Sequence, residues 1–309
     1  MTPSPVLSVA PVVLPAPGRT VDLEVRVSAP VTGTDLPVVL LSHGHGPSHH
    51  LSSLYGYGPL AHHWAAQGFV VLQPTHLDSA MLGLRAADHP EAPLYWRSRA
   101  TDMSLVLDSL DLIEDAVPEL RGRLDRSKVA VAGHSMGGHT ASVLLGARPV
   151  DPQDGTPVDL RDPRIVAGVL FAAPGRGGDA LTAFTAEHYP VFADTDFAPM
   201  TTPALVVAGD ADASAHLTVR GPEWITDPYV LAPAPKTLLS VFGAEHGLGG
   251  ISGYDAAETT DEDPARVAFL QRLTTAWLRT ALGLDDGAWS LACAELGSST
   301  APLGRVESK

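Results

Sequence analysis

Covalent chemistry on a carbonyl needs a nucleophile, a base to activate it and donors for the charge that develops on oxygen. A serine hydroxyl is weak alone and acts only when a neighbouring base accepts its proton. The serine best placed for this is Ser135, in the string Lys128-Val129-Ala130-Val131-Ala132-Gly133-His134-Ser135-Met136-Gly137-Gly138, which continues from His139 to Leu145 with small and apolar residues. The pattern reads as strand, sharp turn, helix. A nucleophile on such a turn holds a strained backbone, and the residues two before and two after it must be nearly without side chain. Gly133 and Gly137 meet that demand. The turn lifts Ser135 Oγ above the sheet and sets the Met136 amide in the first turn of a helix, where it can stabilise an oxyanion.

Gly133-His134-Ser135-Met136-Gly137-Gly138 resembles the nucleophile elbow of the α/β-hydrolase superfamily, over a stretch from about Thr20 to Leu282. Upstream, Pro37-Val38-Val39-Leu40-Leu41-Ser42-His43-Gly44-His45-Gly46 and then Leu60-Ala61 to Gln67-Gly68-Phe69-Val70-Val71 are similar to the chlorophyllase, dienelactone-hydrolase and bacterial polyester-hydrolase (cutinase-like) branch. The resemblance implies an α/β-hydrolase fold, a second oxyanion amide from His45, and a chain order of serine, acid, histidine. The strand Thr237 to Phe242 runs into Gly243-Ala244-Glu245-His246-Gly247, making His246 the expected base. The strand Ala204 to Ala208 runs into Gly209-Asp210-Ala211-Asp212. Asp212 matches the superfamily's Gly-x-x-Asp position; Asp210 is the rival, with a turn-fixing role open to it, and Asp194 and Asp196 are remote alternatives. The expected reaction is hydrolysis of neutral, apolar or aromatic carboxylic esters through an acyl-enzyme, without metal or organic cofactor. Lactone or thioester hydrolysis and acyl transfer use the same parts, and an inactive binding protein on a hydrolase fold is the alternative from another class.

The chain carries 13 histidines, with His43, His45, His49, His50, His62 and His63 clustered, so a metal site must be weighed. Adjacent histidines on a helix diverge by about 100° and cannot chelate one ion together, and no Cys spacing or H-E-x-x-H pattern supports zinc. Substrate contacts are expected from Gly44, Gly46, His134, His76 and Phe192; His76 and Asp78 follow the strand Phe69 to Gln73 toward the rim of the cleft, where a structural hydrogen-bond role is at least equally open to them. The cleft is expected to be framed by Gly44 to Tyr57, the loop around His76, and an excursion over Pro174 to Met200 whose Phe184, Tyr189, Phe192 and Phe197 are apolar, with no basic cluster nearby.

These residues need a scaffold, and the chain alternates apolar runs of strand length with helical periods, the mark of a largely parallel sheet flanked by helices. Expected strands are Val21 to Val27, Pro37 to Ser42, Phe69 to Gln73, Lys128 to Ala132, Ile165 to Phe171, Ala204 to Ala208 and Thr237 to Phe242. Met103, Val106, Leu107, Leu110, Ile113 and Val117 predict one crossover helix ended by Pro118. Asp263 and Pro264 predict N-cap and N1 of a late helix that Gly283 follows. The expected organisation is a single domain over 1–283, with an N-terminal extension over 1–19, a lid or binding excursion over 174–200 and a loosely held tail over 284–309.

With 309 residues and 45% hydrophobic composition the chain can bury a large core. Its 20 Lys plus Arg against 35 Asp plus Glu give a net charge of −15, which disfavours nucleic acid and anionic lipid as partners and leaves a small-molecule ester as the expected one. The single Cys293 excludes an internal disulfide. Met1 to Ala16 lacks a basic n-region and is broken by Pro5, Pro11 and Pro15, so a cytoplasmic location is expected.

Overall fold

Strands buried on both faces are continuous apolar runs, and such runs form the centre of one nine-stranded sheet in the computed structural model, which describes residues 4–253 and 256–309. In chain order the strands are β1 (Val6–Leu14), β2 (Leu23–Pro30), β3 (Leu36–Ser42), β4 (Val70–Pro74), β5 (Leu124–His134), β6 (Arg148–Pro149), β7 (Ile165–Phe171), β8 (Thr195–Asp196), β9 (Ala204–Gly209), β10 (Lys236–Val241) and β11 (Gly304–Ser308). The sheet order is β1-β2-β4-β3-β5-β7-β9-β10-β11, and β6 and β8 form a separate two-stranded ribbon. The six strands from β4 to β10 pair in parallel, whereas β1, β2 and β11 are antiparallel to their neighbours.

The helices are α1 (Gly58–Ala66), α2 (Trp96–Asp108), α3 (Leu110–Ala116), α4 (Met136–Leu144), α5 (Ala183–His188), α6 (Asp227–Val230), α7 (Pro264–Ala281) and α8 (Ala288–Ser298). Side-chain alternation sorts the sheet into two cores. Val38, Leu40, Val129 and Val131 face α2, α3 and α4; Val39, Leu41, Ala130 and Ala132 face α1 and α7. The chain is therefore an α/β protein with a mostly parallel central sheet flanked by helices. Among the described residues no helix is long and apolar enough to cross a membrane.

Three features differ from the sequence-based expectation. Residues 1–19 are not an appendage: β1 is a full sheet strand paired with β2, while residues 1–3 lie outside the described residues. Residues 284–309 are not a loose tail either. There α8 packs beside α7, and β11 pairs antiparallel with β10, Thr237 opposite Ser308 and Val241 opposite Gly304. The sequence Gly304-Arg305-Val306-Glu307-Ser308 lacks an apolar run because it is an edge strand, where charged side chains discourage pairing with another chain. The crossover helix is two helices, since the chain breaks at Ser109 between α2 and α3. At α7 the Asp263 side chain accepts from the Ala265 and Arg266 amides, with Pro264 at N1.

Candidate active site

A parallel sheet gathers the loops after its strands at one edge, and the loops after β3, β5, β9 and β10 meet there. Ser135 follows β5 directly and caps α4 with φ 55° and ψ −119°, a conformation strained for a residue with a side chain. The flanking glycines are required by contact. A Cβ on Gly133 would lie 2.0 Å from the Gly137 carbonyl oxygen, and one on Gly137 would lie 2.1 Å from the Ser42 carbonyl oxygen. Both obstacles are backbone.

His246, after β10, binds Asp212, after β9, through Nδ1 to Oδ2 at 2.7 Å. Asp212 is nearly inaccessible, and its Oδ1 accepts from the Ser214 amide and hydroxyl. Burial works to raise its pKa, but the hydrogen bond and charge of His246, with the Ser214 hydroxyl, outweigh it and hold the carboxyl below its usual value. Asp210 is exposed and accepts instead from the Gly243 amide at 2.6 Å, fixing the turn that leads to His246. Asp194 pairs with Arg176, and Asp196 accepts from the Ala198 amide. Ser135 and His246 line one cavity of about 550 Å³. Among the described residues neither Ser135 Oγ nor His246 Nε2 has a hydrogen-bond partner.

The carbonyls of the loop after β3 are held by side chains, Arg85 and Arg99 from other segments and His43 from the loop itself. Arg99, wholly buried on α2, donates to the His43 carbonyl, to the Asp78 carboxylate and, at 3.0 Å, to Thr140. His43 Nδ1 donates to the Gly44 carbonyl at 2.8 Å, and Arg85 Nη2 to the Gly46 carbonyl at 2.7 Å. The His45 ring is pinned through Nδ1 to Asp78 Oδ2 at 2.8 Å. Burial opposes ionisation of Asp78, yet Arg99 and His45 overcome it and keep its pKa well below the ordinary range. The Gly44 amide is engaged by Tyr57 Oη at 3.0 Å, while the His45 and Met136 amides have no acceptor among the described residues.

His134 joins this loop to the base. Its Nε2 lies 2.8 Å from the His246 carbonyl, which can only accept, so Nε2 carries the proton. Burial, with the nearby His246, pushes its pKa down to about 3, so the ring is neutral and Nδ1 accepts from the Tyr57 hydroxyl at 2.8 Å. A directed chain therefore runs from the Gly44 amide through Tyr57 and His134 to His246. His134 lines the cavity, but both its nitrogens are spent on the protein.

Of the expected contact residues, Gly44 and Gly46 line the larger cavity. Phe192 lines a second one of about 280 Å³, also touching Ser135, with Phe184 and Tyr189. His76 does not reach the cleft: it is fully buried, with Nε2 on Ser42 Oγ at 2.9 Å and Nδ1 on Asp102 at 2.9 Å. The buried polar groups beneath β3 demand those bonds, so it is structural. Phe197 turns into the core. Arg85 lines the smaller cavity as a lone basic side chain, not a cluster. Sequence reasoning missed Arg85 and Arg99 as site residues and gave Tyr57 and Asp78 only a place at the edge of the cleft; the one available signal for Arg99 was a pair of charged residues, Arg99 and Asp102, on the apolar face of a crossover helix. Among the described residues no three His, Cys, Asp or Glu side chains converge as a metal site.

The fold and site together define an α/β protein with a strained serine on two adjoining cavities, an Asp-anchored histidine on the larger of them, and two unengaged amides, those of His45 and Met136. No protein-family model matches the chain, and a search of curated proteins finds no relative.

Proposed function

We propose that the chain is a serine-dependent carboxylic-ester hydrolase on an α/β-hydrolase fold, acting in the cytoplasm. The observation that supports this best is the convergence of Ser135, on its φ 55° turn, and His246, anchored to Asp212, on one cavity. The order after β5, β9 and β10 supports the fold assignment.

In this reading His246 Nε2 takes the Ser135 proton as Oγ attacks the ester carbonyl. Asp212 holds the ring in the Nδ1–H tautomer and stabilises the imidazolium. The Met136 and His45 amides receive the oxyanion, each worth about 2.7–4 kcal/mol in the transition state. As the intermediate collapses, the ester C–O bond breaks and His246 returns the proton to the departing alcohol. Water, deprotonated by the same ring, then releases the acid from Ser135. Ser135→Ala should abolish both hydrolysis of short p-nitrophenyl esters and labelling by a fluorophosphonate while circular dichroism stays unchanged. Wild-type turnover in that variant would overturn the assignment.

A further inference from the structure

Ser135 and His45 lie on both cavities, but His246 lines only the larger one, whereas Met136 lines only the smaller. That asymmetry orients the substrate, given the hydrolase reading on which this inference rests. The group that leaves must take its proton from His246, and the water that follows must reach the same ring. An acyl chain lying beside His246 would block that water. The alcohol therefore occupies the larger cavity, and the acyl group the smaller.

The two cavities differ in charge and lining. The acyl side, about 280 Å³, is walled by Phe184, Tyr189, Phe192 and Leu94 and carries one cation, Arg85. Arg85 spends Nε and Nη2 on the Asp78 and Gly46 carbonyls and forms no ion pair with a described residue. The alcohol side, about 550 Å³, has no Lys or Arg in its lining but holds Glu245 and Glu258 besides Asp212. Glu258 accepts from the Ser48 amide and hydroxyl, Glu245 from Thr260, and neither pairs with a basic side chain among the described residues. Field lines from like charges are focused in such a cleft.

We infer that Ser135 divides the cleft into a compact, aromatic-walled acyl lobe beside Arg85 and a larger, carboxylate-lined alcohol lobe beside His246, so that the favoured substrate is an ester of a small apolar or monocyclic acid with a positively charged amino alcohol. The test compares three esters of nearly equal size: the choline ester of phenylacetic acid, its uncharged 3,3-dimethylbutyl isostere, and the 2-phenylethyl ester of trimethylammonioacetic acid, whose cation sits on the acyl side. Each kcat/KM is divided by that ester's own hydroxide-catalysed rate, which removes leaving-group and carbonyl activation. The choline ester should exceed the neutral isostere by about tenfold, at the low end of electrostatic focusing, and the reversed ester should show no gain. The choline advantage should shrink as ionic strength rises. Glu245→Gln, at the exposed rim, should narrow it, and Glu258→Gln should narrow it further; if Glu258→Gln fails to fold, the salt series and Glu245→Gln carry the test. Turnover of the neutral ester with no cation preference, or a preference for the reversed ester, overturns the lobe assignment and leaves the Ser135 chemistry standing. Turnover of none of the three overturns the hydrolase reading and this inference with it.

Discussion

Replacing Asp78 by Asn should damage stability and turnover together, and a second change should separate them. Asp78 and Arg99 both have fully buried side chains, and the carboxylate also anchors the His45 ring. Removing one partner of a buried pair leaves an uncompensated charge and costs about 3–5 kcal/mol. At about 2–4 °C per kcal/mol for a large domain, Tm should fall by about 10 °C. Turnover should fall too, because the His45 ring loses its anchor and the loop bearing one oxyanion amide can turn away; one donor is worth about 10²–10³ in kcat. In the double variant Asp78→Leu, Arg99→Met no charge remains buried, and replacing a buried pair by apolar residues is often neutral. Its Tm should recover most of the loss. Its kcat should not, since nothing then holds the His43 carbonyl and the His45 ring from behind. Differential scanning calorimetry and p-nitrophenyl ester kinetics on the three proteins decide the matter. A double variant with wild-type Tm and wild-type kcat would refute the claim that this pair positions the oxyanion loop.

Asp212→Asn should lower kcat by about 10⁴ through the wrong His246 tautomer, whereas Asp210→Asn should cost far less, since Asp210 holds only the Gly243 amide; steady-state kinetics with the reverse ranking would move the acid. Gly137→Ala forces a methyl to 2.1 Å from a backbone oxygen, so thermal unfolding should show a loss of about 3 kcal/mol or more, with a fall in kcat. Acid should unfold the protein steeply. Burial, with Arg99 adding to it for His43, His76 and His139, keeps these three rings neutral, His139 at about 3 and His43 and His76 well below their usual value, and His134 also sits at about 3. In the unfolded chain all four bind a proton below about 6.5, so the unfolded state gains protons that the folded state does not, and stability falls as pH falls. Asp102, pushed up to about 7 by burial against the pull of Arg19, works the other way over the same window. The net is about three protons, four histidines less Asp102, or about 4 kcal/mol per pH unit between about 6.5 and 4. Urea unfolding followed across that range should give this slope, and a flat profile would contradict it.

The central strands and the strand-turn-helix string around Ser135 were readable because buried parallel strands are apolar runs and because the Gly133 and Gly137 positions tolerate no Cβ. The edges were not: β1 is interrupted by Ser8 and Pro11 and β11 is polar, so neither carries the unbroken apolar run that marks an interior strand. His246 and Asp212 were legible as residues just past strand ends. The groups behind the β3 loop were not, since Asp78, Arg99 and Tyr57 come from separate segments and meet only through the fold. His76 misled because a polar residue after a strand looks the same whether it faces the cleft or lies under the sheet. The helical period over Met103 to Val117 was real, but it could not disclose the break at Ser109.

The locked loop has a consequence for how this protein can change. Asp78, Arg99, His43 and His45 share bonds, so a substitution at one alters what is tolerated at the others, and single mutational steps through that cluster will mostly be deleterious. The walls of the acyl lobe are tied to that cluster more loosely, Tyr189 through an edge-on contact with the His45 ring at 5.9 Å between centroids. Phe184 and Tyr189 come from the short α5 and the turn after it, and neither side chain hydrogen-bonds to the cluster. Libraries built at those two positions should therefore diversify substrate range while leaving the reaction intact, whereas libraries at the loop should yield mainly inactive protein.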